Sequence, residues 1–197
     1  MQSLNKYEIQ AFFDKAAPSW DAHMVRSDEK ISCILNAADV KAGYRVLDVA
    51  CGTGVLLGDY LARDVNHITG VDVSYEMLRI ARDKYRDPRV ELLCADALEL
   101  TNYGSYDCAV VYNAFPHFPK PALLIKRLAK YLRPSGRLCV AHGMSREALL
   151  VHHSGAALNV SLPLPELNDM AALFYPYFNV DVQISDDEKF IIAGSKK

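Results

Sequence analysis

The chain has no run of about 18 consecutive apolar residues, so no segment reads as a membrane-spanning helix. Its first ten residues carry Asn5, Lys6 and Glu8 in place of an apolar core, and no secretory signal is legible there. No basic run of five or more residues occurs, and the formal net charge is −2. That removes the electrostatic case for DNA, RNA or an anionic membrane as partner. The five cysteines are scattered, with no C-x-x-C pair and no zinc-ligand spacing. Without a disulfide framework a reducing compartment fits best, and a soluble, cytoplasmic protein is expected. Repeats, low-complexity tracts and coiled-coil heptads are missing too, so nothing indicates the oligomeric state. At 197 residues the chain suits one compact domain with a sizeable core, not two.

What is present is alternation. Short apolar runs at Arg45–Val49, His67–Val71, Val90–Cys94, Tyr106–Tyr112 and Arg137–Ala141 predict strands. Segments of helical period separate them, starting from Gly54, from the candidate cap Ser74, from Pro121 and from the candidate cap Ser145. A further helix is predicted around Leu167–Tyr175, then two strands, Phe178–Ile184 and Lys189–Ala193, joined as a hairpin. Two helical stretches, Lys6–Lys15 and Lys30–Ala38, precede the first strand. The expectation is an α/β fold, a doubly wound, mostly parallel sheet with a helical cap. Residues 1–40 would form the cap, 41–141 the ligand-binding core, 142–176 a lid and 177–197 the terminal strands.

Ligands of such sheets lie where the C-terminal strand ends meet a switch in strand order. The first strand runs into Asp48-Val49-Ala50-Cys51-Gly52-Thr53-Gly54, whose glycines allow a tight turn and close approach of a ligand to the backbone. Strand, glycine turn and helix suit either a dinucleotide or S-adenosylmethionine. A dinucleotide site wants a third glycine where Leu57 stands, and Asp48 would repel a pyrophosphate. The same carboxylate would attract the ammonium of a methionine moiety, directly or through water. Asp72 ends the second strand, where a carboxylate accepts ribose hydroxyls, and Asp96 follows the third, in reach of an adenine amino group. Three acids at successive strand ends suit a cationic nucleoside.

Val46–Gly54, Gly70–Leu78, Cys94–Ala97 and Leu132–Arg137 resemble four successive motifs of the class I S-adenosylmethionine-dependent methyltransferases. Ala11–Asp21 is similar to the start of the quinone-biosynthesis type. The resemblance implies a Rossmann-like seven-stranded sheet with an antiparallel last strand. It places Gly52 and Gly54 against the methionine part, Asp72 on the ribose, and Val73 and Met77 on the adenine face, with Asp48, Ala50 and Cys51 also on the cofactor. Asp96 and Ala97 would lie at the adenine edge and Asn113 beside the sulfonium. By periodicity alone, Met77 reads first as helix core, and the resemblance brings the cofactor reading level with it.

Acceptor groups should follow strands four and five. Asn113-Ala-Phe-Pro-His-Phe-Pro119 is not the Asn/Asp-Pro-Pro-aromatic motif of amino-methylating nucleic-acid enzymes, so that substrate class loses support and a small-molecule acceptor is expected. Phe115 and Phe118 would supply an apolar wall. His117 reads as a base or as a structural histidine. His142 ends the fifth strand, and His152 or His153 would return toward it from the next helix. These histidines suit a base with acceptor-binding groups, a metal site without familiar spacing, or a solvated lid. A non-catalytic S-adenosylmethionine-binding protein or sensor is the alternative reading, and a nicotinamide oxidoreductase fits less well because of Leu57 and Asp48.

Overall fold

The computed structural model describes residues 4–101, 105–152 and 155–197. Seven strands form one sheet: β1 (Arg45–Val49), β2 (His67–Asp72), β3 (Val90–Cys94), β4 (Tyr106–Tyr112), β5 (Leu132–His142), β6 (Phe178–Ser185) and β7 (Phe190–Lys196). Their order is β3-β2-β1-β4-β5-β7-β6. The first five are parallel, and β7 runs antiparallel to both β5 and β6. The Rossmann-like sheet with its antiparallel last strand is as expected. Strand order reverses between β1 and β4, which opens a crevice at their C-terminal ends.

Both faces are covered, so the central strands are apolar throughout and do not alternate. On one face Leu47, Val49, Ala109 and Val111 pack under α5 (Pro121–Tyr131) and α7 (Leu167–Phe174). On the other, Val46, Ile68, Cys108, Val110 and Cys139 pack under α2 (Asp28–Ala37) and α3 (Leu57–Ala62). Burial pushes the Cys139 thiol up to about 12, as suits a cysteine that acts as a small hydrophobe. The caps expected from sequence form as hydrogen bonds. Met77 N donates to Ser74 Oγ at the start of α4 (Tyr75–Lys84), and Ala148 N donates to Ser145 Oγ at the start of α6 (Arg146–His152).

Among the boundaries that differ from the sequence reading, three have a local cause. The first helix, α1 (Lys6–His23), continues through Pro18 instead of ending at Lys15. Proline removes one helical donor, but side-chain bonds hold the helix on both sides of it. Before the proline, Asp14 accepts from Ser74 Oγ at 2.6 Å; beyond it, Asp21 accepts from Thr53 Oγ1 at 2.6 Å and Lys84 Nζ at 2.8 Å. The third helix begins at Leu57, not Gly54, because Gly52 (φ 55°) and Gly54 (φ 84°) are left-handed and cannot join a right-handed turn. Finally, β5 starts at Leu132, which pairs with Tyr106 ahead of the turn residues.

Candidate functional site

A cavity of about 800 Å³ occupies the crevice, well matched to the usual ~300–1,000 Å³ of small-molecule sites. Its floor is the turn after β1, where Ala50, Cys51, Gly52 and Thr53 line the space. Cys51 N donates to Val71 O at 3.1 Å and Gly54 N to Cys51 O at 2.9 Å, so the turn is tied to β2 and to itself. Ala50 adopts φ 55°, an unfavourable value for a residue with a Cβ, held by that local coiling.

The two glycines of the turn have different tasks. A Cβ on Gly52 would meet no protein atom within 4 Å, so it would project into space a ligand can use. A Cβ on Gly54 would lie 2.7 Å from Leu57 Cδ1, and Gly54 does not line the cavity. Gly54 therefore serves packing, contrary to the ligand contact expected for it. Gly54→Ala is expected to lower the unfolding free energy by about 1–3 kcal/mol through overpacking and backbone strain. Gly52→Ala is expected to cost about 1 kcal/mol of stability by strain alone and to weaken ligand binding as well. Urea denaturation with calorimetric binding on both variants separates the two roles.

The three strand-end acids divide likewise. Asp72, 8% exposed, lines the cavity. Its Oδ2 accepts from Gly52 N and its Oδ1 from Ser74 N, both at 2.8 Å, which fixes the carboxylate while leaving further lone pairs for a ligand. Burial outweighs these donors and raises its pKa to about 6. Asp96 also lines the cavity, held by Leu98 N at 2.9 Å, with Lys6 Nζ at 3.9 Å. Asp48 does not. It lies beneath the turn, 2% exposed, and its Oδ2 has no hydrogen-bond partner among the described residues. Burial, reinforced by the charge of Asp72, pushes its pKa up to about 8. So two of the three acids ring the crevice, and the third sits under its floor.

Val73, Met77, Ala97 and Asn113 line the cavity. Asn113 follows β4 at φ 53°, and its Oδ1 accepts from Gly143 N at 2.9 Å, tying the ends of β4 and β5 together. Of the acceptor residues, His117 and Phe118 line the cavity. Phe115 does not; it is 2% exposed and packs in the core on the α5 side. His142 is also absent from the lining. It is fully buried, registered with Phe190 across β7 and edge-on to that ring at 6.4 Å. Because β5 continues through His142, strand alternation carries its side chain to the same face as Leu138 and Val140, away from the ligand space. His152 is the last residue of α6, and His153 lies outside the described residues.

The roof falls in the expected helical cap, but its lining residues were not singled out from sequence patterns. Phe13, Trp20 and His23 of α1 and the segment Met24–Arg26 close the cavity from above. Arg26 fastens this segment by donating to Val55 O at 2.8 Å and to Asp59 at 2.7 Å. Tyr112, Met144 and Leu149 complete the acceptor end. The available signal was the run of aromatics in α1, which has no counterpart to fix its placement until the helix docks on α4.

The donor set fits S-adenosylmethionine. A rigid carboxylate faces the cavity, a Cβ-free turn lies beside it, and Val73 and Met77 line the same space. Residues 46–136 match a methyltransferase domain family. The chain is 29% identical over 148 residues to the ubiquinone biosynthesis O-methyltransferase of Vibrio cholerae serotype O1, covering 70% of this chain and 60% of that protein. It thus spans about three fifths of the length of that curated relative. In fold it is similar to the N-methyltransferase NodS of Bradyrhizobium japonicum, solved with S-adenosylhomocysteine, with a TM-score of 0.76, 12% identity and coverage of 96% and 98%. It is also similar to the [4+2]-cyclase SpnF, with a TM-score of 0.75, 21% identity and coverage of 91% and 74%. At such identities fold is all that these structures share with it, and the fold alone does not set the reaction. The matched segment runs from inside β1 to the turn within β5 and encloses the glycine turn and both cavity-lining acids, so the similarity falls on the part of the chain that forms the floor of the cavity.

Proposed function

We propose that the chain binds S-adenosylmethionine in the crevice and transfers its methyl group to a small molecule held under α1. The observation that carries this reading is Asp72, a carboxylate immobilised by two backbone donors and facing a cavity of suitable size. The cofactor supplies an electrophilic methyl group on a cationic sulfur. Asp72 would bind the ribose hydroxyls, Asp96 and Ala97 the adenine edge, and Val73 and Met77 the adenine face. Ala50, Cys51 and Gly52 would pass beside the methionine part, above the buried Asp48 carboxyl. Asn113 would border the sulfonium, holding the two strand ends that frame it.

The remaining space, walled by Phe13, Phe118, Met144 and Leu149, is apolar and suits a small acceptor. The relative's O-methyltransferase name supports oxygen as the atom methylated. Alignment of the acceptor with the methyl carbon and exclusion of water by the α1 roof are the main catalytic contributions. Among the described residues no helix is long and apolar enough to cross a membrane. Isothermal titration of the purified protein with S-adenosylhomocysteine tests the reading. Saturable one-to-one binding at micromolar ligand is expected, and no heat at millimolar ligand would end the proposal.

A further inference from the structure

We propose that Asp14 and Asp21 are positioning residues that couple the two halves of the crevice: a cofactor held by Asp72 fixes α1, and α1 sets the aromatic wall of the acceptor space. The inference rests on the crevice being the methyl-transfer site. In α1 each of these acids directly follows an aromatic residue, as Phe13-Asp14 and Trp20-Asp21. The two pairs stand seven residues apart, close to two helical turns, so they repeat on one side of the helix. Phe13 and Trp20 line the cavity and meet edge-on, with ring centres 5.7 Å apart. Asp14 and Asp21 bond instead to the two loops that hold Asp72.

Both contacts converge on that carboxylate. Asp72 Oδ1 accepts from Ser74 N, and Ser74 Oγ donates to Asp14 Oδ1 at 2.6 Å, with Glu76 N donating to the same oxygen at 3.2 Å. Asp72 Oδ2 accepts from Gly52 N, and the next residue, Thr53, donates its hydroxyl to Asp21 Oδ1 at 2.6 Å. Lys84 Nζ donates to Asp21 Oδ2 at 2.8 Å. Each path from Asp72 to α1 thus passes through one or two residues.

The helix depends on these bonds. Of its 18 residues, Ile9 and Ala17 are buried, and Pro18 removes a helical donor. An element with so little apolar burial opens at small free-energy cost, and its polar attachments decide how often it does so. Both attachments end in loops that a ligand on Asp72 would immobilise. Filling the cofactor side therefore holds α1 down, with Phe13 and Trp20 in place to receive the acceptor. By linkage, the acceptor raises cofactor affinity by the same factor.

Amide hydrogen exchange on the full chain, with and without saturating S-adenosylhomocysteine, tests the coupling. Exchange across residues 6–23 is expected to slow at least tenfold on loading, beyond any slowing in α7, which contributes no residue to the cavity lining. Equal slowing in α1 and α7, or none in α1, overturns the inference. Asp14→Ala is expected to cut the slowing of α1 to less than threefold. Asp14→Asn is expected to restore it, because the amide Oδ1 still accepts from Ser74 Oγ and Glu76 N. A purely structural contact would lower protection equally in the free and loaded protein; an unchanged ratio in Asp14→Ala counts against coupling. Asp21→Ala, which breaks the second path, is expected to act as Asp14→Ala does and gives the same reading should that variant not fold. Trp20 is the chain's one tryptophan, so acrylamide quenching of its fluorescence follows the same event. Loading is expected to halve the quenching in wild type and Asp14→Asn and to leave it nearly unchanged in Asp14→Ala. Calorimetric titration accompanies each sample. No binding by wild type ends the cofactor reading, whereas binding without protection of α1 ends the coupling alone.

Discussion

Asp72→Ala is expected to weaken S-adenosylhomocysteine binding by a hundredfold or more. Hydrogen bonds to a charged group contribute about 1.5–3 kcal/mol each, and two ribose hydroxyls would lose their acceptor together. A hundredfold loss is about 2.8 kcal/mol, the low end of that sum. The substitution also releases Gly52 N and Ser74 N, loosening the turn that lines the cavity. Asp72→Asn is no remedy, because its amide nitrogen cannot accept from either backbone donor. The same carboxylate gives a pH signature. With its pKa raised to about 6, Asp72 is an acceptor-only group above that value and carries a proton below it. Affinity should therefore fall as pH drops through 6, by up to tenfold per pH unit for one linked proton. Calorimetry from pH 5 to 8 measures both effects. A loss of less than threefold in the alanine variant would refute the ribose assignment.

Asp48→Asn is expected to stabilise the ligand-free protein at pH 9 and to lose that advantage at pH 4.5. In the folded chain this carboxyl has its pKa raised from 3.8 to about 8 by burial first and the Asp72 charge second. The folded state thus holds the proton more tightly than the unfolded state. Its contribution is fully present below the unfolded value and is lost as pH rises toward 8. Each unit of pKa difference is worth about 1.4 kcal/mol, so the pH-dependent part amounts to several kcal/mol, a large share of a typical domain's ~5–15 kcal/mol. Any constant cost of burying an asparagine amide cancels when the variant is compared with itself at two pH values. Urea denaturation of both proteins at pH 4.5 and 9 provides the comparison. A stability difference that stays the same at both pH values would show that Asp48 is not the buried acid described.

Local chemistry is what the sequence by itself determined. The apolar runs and their turn residues gave all seven strands. Ser74, Ser145 and Pro121 mark helix starts because a cap or a preset φ acts within a few residues of itself. The acids at the ends of β1, β2 and β3 were legible for the same reason. What only the tertiary structure decided is which way those ends face. In a parallel sheet covered on both sides, β1 and β2 are buried almost residue by residue, so no alternation tells one face from the other. The sequence therefore offered no signal that Asp48 would lie under the floor while Asp72 faced the cavity. Phe115 and His142 joined the core, and His117 reached the ligand space, for a related reason. Their directions depend on how far β5 extends and on where residues 160–162 return to meet residues 116–117. Helix α1 survives Pro18 and roofs the site only because Asp14 and Asp21 find partners more than 30 residues away, contacts that exist once the sheet has assembled.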